Sequence, residues 1–353
     1  MKSARLDYID IAKGLGMLAI VWGHIMLDGW SCKMVYGFHI PLFFMLSGMC
    51  FNQNKYSAVG ELIERRVRTL LVPYVIFSLV TWMVYVVGVL VLHNDTMENC
   101  WYYLLQTVLA QGSDGYLKHN VALWFVPCLF VVNVLYFLIS RYADIYNILI
   151  CLLCAAAGVM MSRSFFNYTF LPWSIDSALV AIPFFAFGNL IVKRFSHEQI
   201  IQWVDNNIIR VGLVTTVLVI LFLILVQKNG YISMGHNYLG YQTWLFFVNA
   251  FIGSISIILL SLLLGSLLLR GWVQPFIKYV RWLGMNSFNT MAIHLPIRSG
   301  LLVLFAMILQ TGTGLELCSN IWISLVVYMA TLIVTSLVIL MINKGKKMVA
   351  KKA

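Results

Sequence analysis

The sequence has few charged residues. Asp, Glu, Lys and Arg make up 10% of its 353 residues, whereas a soluble globular domain carries about 25%. Hydrophobic residues account for 61%, and the mean hydropathy is +0.88. This composition excludes an ordinary soluble globule and a disordered chain, because neither could keep so much apolar surface away from water. It predicts a polytopic membrane protein whose apolar side chains face lipid.

Acidic residues are scarcer than basic ones: 13 Asp and Glu stand against 24 Lys and Arg, which gives a net charge of +11. In a soluble protein such an excess would suggest nucleic-acid binding. In a membrane protein the preference of Lys and Arg for cytoplasmic loops explains it first. We therefore expect the lipid bilayer, and no nucleic acid, as the partner of these charges.

Several catalytic motifs are missing. The sequence has no GxxxxGK[ST] phosphate loop, no HExxH and no GxSxG, and no cluster with metal-ligand spacing. We therefore expect no bound metal. Of the seven cysteines, Cys32, Cys100 and Cys318 fall in loops that we place outside, where a disulfide could form but where the sequence does not show one.

Long apolar runs dominate the chain, and a membrane-spanning helix needs about 20 such residues. They predict an all-α bundle of about ten transmembrane helices. The predicted spans are 10–28, 35–52, 70–92, 121–140, 145–161, 177–192, 209–227, 243–268, 288–309 and 321–343. The first run has no cleavage site of small residues, which indicates a retained helix rather than a signal peptide. Segment 97–111 is apolar but interrupted, which favours an interfacial amphipathic helix.

The charges in the loops predict the orientation. With the N-terminus in the cytoplasm, 18 Lys and Arg fall in inside segments. Four fall outside: Lys33, Lys118, Arg163 and Lys228. This bias predicts cytoplasmic N- and C-termini. It also predicts one membrane-embedded domain over 1–343 and a basic cytoplasmic tail over 344–353.

The first span carries Asp10, Lys13 and His24, and ionisable groups inside a membrane are costly enough to suggest function. Lys13 and His24 are eleven residues apart, so on a helix they lie about 20° from eclipsed with a rise of about 16 Å. Both are therefore expected on one face, and Asp10 could pair with Lys13 from one turn earlier. The alternative is that Lys13 snorkels and that His24 hydrogen-bonds a carbonyl. We expect His24 to accept a proton in catalysis.

Other polar or aromatic residues recur near the ends of the spans. His39 opens the second span and could approach His24, while Ser47 and Gly48 give that span a small face for close helix packing. Trp124, in ALWFVPCLF, suits either an aromatic belt at the membrane surface or a platform for a sugar. His294 and Arg298 lie inside the ninth span, where Arg298 would need an acid, a ligand or a water-filled cavity.

A basic cluster, ERRVRTLLVPY, lies at the cytoplasmic start of the third span. Its arginines suit phosphate, because each guanidinium offers forked donors. On a regular helix Arg65 and Arg68 would share a face and Arg66 would not join them. A plain membrane anchor explains the composition of this cluster equally well.

These segments, taken in order, resemble the integral-membrane acyltransferase 3 family of bacterial sugar O-acetylases. RLDYIDIAKGLGMLAIVWGH resembles the family's first span, with Lys13 at the basic position and His24 at the histidine. HIPLFFMLSGMCF resembles its second-span signature, and RRVR its R-x-R motif at Arg66 and Arg68. ALWFVPCLF and LGMNSFNTMAIH are similar to its later segments.

The resemblance implies a multi-pass enzyme of the bacterial inner membrane that moves an acyl group, usually acetyl, from acyl-CoA to a carbohydrate hydroxyl. Acetyl-CoA would be the co-substrate, and an exopolysaccharide, O-antigen or cell-wall glycan the acceptor. It implies an essential His24 and a donor-side role for Arg66 and Arg68. We expect the following assignments: catalysis by His24, Lys13 and Asp10; donor binding by Arg65, Arg66 and Arg68; acceptor binding by Trp124, His39 and His294.

Two other classes of protein are compatible with the polar residues inside the spans. A carrier for a small anion or a lipid-linked sugar would also need intramembrane charges, but no internal repeat of a transporter half is present. A non-catalytic scaffold of an envelope assembly would tolerate the loss of His24. The residues alone also leave open whether His24 acts as a general base or as a transient acyl carrier.

Overall fold

The computed structural model describes residues 6–26, 29–112, 116–162, 171–266, 272–310, 318 and 320–352. Helices dominate this part of the chain, as the composition predicts. The α-helices are α1 (Asp7–Ile25), α2 (Gly29–Tyr36), α3 (His39–Met49), α4 (Val59–Arg66), α5 (Val72–Leu92), α6 (Met97–Leu109), α7 (Phe125–Ile139), α8 (Asp144–Met160), α9 (Ile175–Arg194), α10 (His197–Asn206), α11 (Ile208–Asn229), α12 (Thr243–Ser266), α13 (Gln274–Met285), α14 (Ser287–Leu309) and α15 (Ile321–Lys352). An isolated antiparallel bridge between Ser233 and Tyr238 closes the loop between α11 and α12.

Within the described residues, seven helical segments are long and apolar enough to cross a membrane. They are Val59–Leu92, Val121–Ile139, Pro172–Arg194, Ile208–Asn229, Thr243–Ser266, Ser287–Leu309 and Ile321–Met348. In the most apolar 18-residue stretch of each segment, 67% of the residues are buried for the segment with α7 and 61% for the segment with α9. The buried share is only 17% for the segments that contain α5 and α11. The first pair therefore forms the centre of the bundle, and the second pair presents apolar side chains to lipid. The chain is a multi-pass membrane protein.

The other three predicted spans correspond to shorter or more polar helices. Span 10–28 corresponds to α1, and span 145–161 to the apolar but short α8. The predicted interfacial segment 97–111 forms helix α6, whose depth in the membrane stays a prediction. A total of about ten spans likewise stays a prediction.

The prediction of one continuous span over 35–52 is wrong. The chain forms α2, turns at Gly37–Phe38 and starts again as α3. Pro41 explains the break, because it has no N–H to donate to the Gly37 carbonyl and its ring would clash with that carbonyl in a regular helix. Residues 29–34, which lie between the first two predicted spans, are helical as part of α2. The break turns α3 so that His39 faces the interior, where it is 5% exposed.

Two pairs of glycines bring helices into backbone contact. A Cβ atom on Gly284 of α13 would lie 1.7 Å from the Asp10 carbonyl oxygen of α1, and one on Gly14 would lie 1.9 Å from the Val280 oxygen. Gly48 of α3 and Gly188 of α9 make an equivalent contact, at 1.9 and 2.1 Å from facing carbonyl oxygens. The close packing predicted at Gly48 is confirmed. These contacts fix α1 and α3, which carry four of the expected site residues: Asp10, Lys13, His24 and His39.

Both terminal helices have one end on the same side of the bundle. Asp7 Oδ1 is 2.7 Å from Arg281 Nη2, and the Asn343 amide donates to Asn286 Oδ1 at 3.0 Å. We call this the basic end, because the arginines of α4 and the lysines of α15 lie in helices that start or finish there. The opposite end, which we call the far end, holds the loop 230–242. Which side of the membrane the basic end faces stays a prediction.

Candidate active site

One internal cavity of about 580 Å³ is lined by four of the nine predicted site residues: Lys13, His24, His39 and Trp124. Helix α1 lines it with Lys13, Met17, Ile20 and His24, whose spacing of three or four residues marks a single helix face. The prediction that Lys13 and His24 project from one face is confirmed. Because α1 starts at the basic end, Lys13 lies nearer that end and His24 deeper in the cavity.

Helix α14 supplies the opposite wall. It runs in the same direction as α1, and it lines the cavity with Ser287 near its start and Arg298 near its middle. His294 lies one turn before Arg298, fully buried, with its ring centroid 5.3 Å from that of His24. The structure thus brings together two histidines that are 270 residues apart in the chain.

Tyr36 lies between His24 and His39. Its ring centroid is 6.4 Å from that of His24 and 5.0 Å from that of His39, and both contacts are edge-on. The expectation that His39 approaches His24 is therefore met through an intervening phenol. Tyr231, from the far-end loop, packs 5.2 Å from Tyr36 and extends this aromatic wall.

Hydrogen bonds fix the orientation of two of the histidine rings. His294 Nδ1 lies 2.9 Å from the Thr290 carbonyl oxygen and His39 Nδ1 lies 2.8 Å from that of Val35. Since a carbonyl only accepts, Nδ1 carries the hydrogen in both rings and Nε2 is the basic nitrogen of the neutral form. His294 Nε2 is buried and has no hydrogen-bond partner among the described residues. This nitrogen is thus a hydrogen-bond acceptor that the described residues leave unused.

Trp124 forms the far-end wall of the cavity and is 7% exposed. A Cβ atom on Gly112 would lie 2.8 Å from the indole ring, and one on Gly235 would lie 3.0 Å from it. The indole therefore lies between two glycine backbones in the interior. The alternative of a lipid-facing belt residue is wrong for Trp124.

Asp10 lies one helical turn before Lys13, nearer the basic end, and is 6% exposed. Among the described residues, no ion pair joins the two side chains, so the predicted Asp10–Lys13 pair is absent there. Asp7, one turn earlier, pairs with Arg281 instead. Asp10 is close to the helix contact at Gly284 rather than to the cavity wall.

The three arginines of the basic cluster have different surroundings. Arg65 lies over the Tyr56 ring at 6.0 Å, and Arg68 pairs with Glu64 at 2.6 Å with 75% of its side chain exposed. Arg65 and Arg68 are both exposed, which agrees with the prediction that they share a face, and a π turn over Val67–Leu71 begins directly after Arg66. Arg66 is half-buried, and its Nε has no hydrogen-bond partner among the described residues.

A second cavity of about 440 Å³ opens near the basic end. Lys55, Lys193 and His197 line it together with asparagine and glutamine side chains, and none of its described lining residues is acidic. Partial burial lowers the pKa of the His197 imidazole. Cys50, also in this wall, interacts electrostatically with Lys13 and Arg66, which places the second cavity beside the arginine cluster and the basic end of the main cavity.

Several cavity residues escaped the sequence reasoning. Tyr36, Tyr231 and His236 line the main cavity, and His236 Nδ1 lies 3.0 Å from the Ser233 hydroxyl oxygen. The available signal was a short loop between two spans, 230–242, that combines histidine with tyrosine and glycine. Among the described residues no disulfide joins any of the seven cysteines, including the three for which one was considered.

Comparison with known proteins addresses the activity of this cavity. The profile of the acyltransferase 3 family, described as an acyltransferase domain, matches residues 6–341. No curated protein and no solved structure matches the chain. A match over nearly the whole chain favours an enzyme over the carrier and the scaffold. The chain therefore belongs to the acyltransferase 3 family and is a membrane acyltransferase.

Proposed function

We propose that this enzyme transfers an acyl group, acetyl in the simplest case, from acyl-CoA to a hydroxyl of a cell-envelope or exported carbohydrate at the bacterial inner membrane. One observation carries the proposal: a single cavity extends from Lys13 at the basic end, past His24, which packs against His294, to Trp124 at the far end. Two substrates could therefore enter from opposite ends and meet at the histidines.

The donor enters from the basic end. Acyl-CoA carries several phosphate charges, and the cationic groups there can neutralise them. Lys55 and Lys193 line the second cavity, Arg66 is half-buried beside it, and Lys13 begins the main cavity. The nucleotide head occupies the second cavity, and the pantetheine arm runs along the Lys13 face of α1 towards His24. Arg68 makes a smaller contribution, because it is exposed and already paired with Glu64.

The acceptor enters from the far end, where Trp124 offers an aromatic surface. Sugars present C–H groups that pack on aromatic rings, and the hydroxyls at the ring edge remain free for hydrogen bonds. The basic nitrogens of His39 and His294 suit those hydroxyls. Both histidines line or border the same space as Trp124, which supports their role in acceptor binding.

The chemical step is a direct transfer. His24 takes the proton of the acceptor hydroxyl as its oxygen attacks the thioester carbonyl carbon. The new C–O bond forms, the C–S bond breaks, and the CoA thiolate takes the proton back from His24. His294, with its ring 5.3 Å away, accepts a hydrogen bond from a neighbouring hydroxyl of the same sugar and so holds the reacting hydroxyl in line. The products are the acylated sugar and free CoA, so the protein ends the cycle in its starting protonation state.

CoA release tests this function. Purified protein in detergent receives acetyl-CoA and a panel of carbohydrates, and free thiol is measured for the wild type and for His24→Ala. We expect thiol release that depends on one class of carbohydrate and that falls by at least about 10²-fold in His24→Ala, the usual effect of removing a general base.

The matched control is His93→Asn. His93 is an exposed histidine outside the cavity, in a left-handed conformation that asparagine tolerates. It should retain wild-type turnover. Equal turnover in wild type and a folded His24→Ala variant would contradict a catalytic His24. Radiolabel retained on the protein after incubation with labelled acetyl-CoA alone, and lost in His24→Ala, would replace direct transfer by an acyl-histidine intermediate.

A further inference from the structure

Arg298 is an arginine inside a membrane-spanning helix, and the mechanism above does not use it. It lines the main cavity, and its Nε and Nη2 atoms are buried without a hydrogen-bond partner among the described residues. A buried guanidinium is costly unless an anion or several acceptors compensate it. The position therefore calls for a partner that the described part of the chain does not provide.

No carboxylate of the protein meets this need among the described residues. The lining of the main cavity includes Lys13, Arg298 and three histidines, but neither aspartate nor glutamate. The ion pairs within the described part of the chain join Arg68, Lys118 and Arg281 to their acids and do not include Arg298. The described side chains that interact with Arg298 are Cys318, Tyr36, His24 and His294, and none of these is a carboxylate.

The location of Arg298 indicates which substrate brings the anion. It follows His294 by four residues, so the two side chains are neighbours on one helix face with about 5–6 Å between their Cβ atoms. Because α14 runs from the basic end to the far end, Arg298 lies beyond the histidines, on the side opposite Lys13. An anion bound there sits on the acceptor side, about one sugar ring from the reacting hydroxyl.

We propose that Arg298 binds a carboxylate of the acceptor, so that the natural substrate is an acidic sugar, such as a uronic acid residue, acylated near its carboxylate. This inference rests on the proposed function and narrows its substrate class. One guanidinium matches one carboxylate in charge and donates to both of its oxygens. Tyr36, next to Arg298, is placed to add a phenolic donor.

Paired acceptors test the inference. One oligosaccharide carries glucuronate, and its partner carries glucose at the same position, so that the two differ only in the carboxylate. We expect wild-type kcat/KM to favour the acid by about tenfold or more, the usual value of a charge-assisted hydrogen bond. Arg298→Gln should abolish that preference. Arg298→Lys keeps the positive charge but loses the two parallel N–H donors of the guanidinium, and it should retain part of the preference. Arg210→Gln, at an exposed arginine of α11, is the matched control and should leave the preference unchanged.

The donor is varied in a second arm. With the neutral acceptor, acetyl-CoA is compared with succinyl-CoA, whose acyl group ends in a carboxylate. If Arg298→Gln changed the discrimination between donors and not between acceptors, the carboxylate would belong to the acyl group and the proposal would be overturned. A wild type without preference for the acidic acceptor would overturn it as well.

A binding measurement separates this inference from the proposed function. The melting temperature of the purified protein is measured with each oligosaccharide in the absence of acyl-CoA. Stabilisation by the glucuronate compound in the wild type, lost in Arg298→Gln, supports the anion site even where no turnover occurs. Equal stabilisation of wild type and Arg298→Gln by the acid would overturn the site, and the melting temperature without ligand shows whether the variant is folded.

Discussion

Gly284 makes the tightest contact between α13 and the helix that carries Lys13 and His24, and Gly284→Ala tests how strongly the site depends on it. The added Cβ would lie 1.7 Å from the Asp10 carbonyl oxygen. Carbon and carbonyl oxygen normally approach no closer than about 3.3 Å. The two helices must therefore separate by roughly 1.6 Å at this point, the difference between those distances.

This separation has two expected costs. Overpacking of a close contact destabilises by about 1–3 kcal/mol. Movement of α1 also displaces His24 relative to His294, and a displacement of about 1 Å costs roughly 10²-fold in rate. We expect Gly284→Ala to lower both the melting temperature and the CoA release per folded molecule, although Gly284 does not line the cavity.

Gly88→Ala is the matched control. Gly88 lies on α5, and the space within 4 Å of where a Cβ would lie is open, so that the same substitution adds a methyl group without a clash. Both variants are compared by thermal unfolding in detergent and by CoA release. Wild-type stability and turnover in Gly284→Ala would refute the argument that backbone contact at this glycine positions α1.

Three further results are expected. Arg66→Ala should raise the KM for acyl-CoA more than Arg68→Ala, because Arg66 is half-buried with a free Nε and Arg68 is paired in solvent; equal effects would contradict the donor assignment. Trp124→Ala should raise the acceptor KM and lower stability by about 3–5 kcal/mol, the usual cost of removing a buried tryptophan, and an unchanged acceptor KM would remove it from the acceptor site. Burial lowers the pKa of His119 to about 4. Between pH 6.5 and 4 this imidazole is therefore protonated in the unfolded chain but stays neutral in the folded protein. The contribution of neutral His119 to the free energy of unfolding is complete above pH 6.5 and decreases on acidification by up to about 1.4 kcal/mol per pH unit. The melting temperature of His119→Gln should therefore fall less than that of the wild type between pH 6.5 and 4.

The long helices can be predicted from the sequence because a helix that crosses the lipid needs about 20 consecutive apolar residues. Apolar runs such as 209–227 and 243–268 end within a few residues of α11 and α12. The rule fails where local backbone chemistry intervenes. Pro41 divides one predicted span into α2 and α3, and a π turn follows Arg66. Neither interruption changes the hydropathy, so neither is visible in it.

The candidate site is predictable in part. Lys13 and His24 share a face by helical periodicity alone, and the cavity bears this out. The pairing of His24 with His294 depends on how α1 and α14 pack, which no local pattern encodes. Trp124 illustrates the same limit: belt and interior positions have the same sequence context, and one of the two glycines that enclose the indole, Gly235, comes from a loop far away in the sequence.

The central claim is that donor and acceptor reach the histidines from opposite ends of one cavity. It is tested most directly with proteoliposomes that contain a membrane-impermeant acceptor, to which acetyl-CoA is added only outside. Molecules inserted with the basic end outwards should acylate the trapped carbohydrate, as detected by mass spectrometry of the lumenal contents, and His24→Ala vesicles should not. Acylation that occurs only when acetyl-CoA and the acceptor are on the same side of the membrane would contradict the claim.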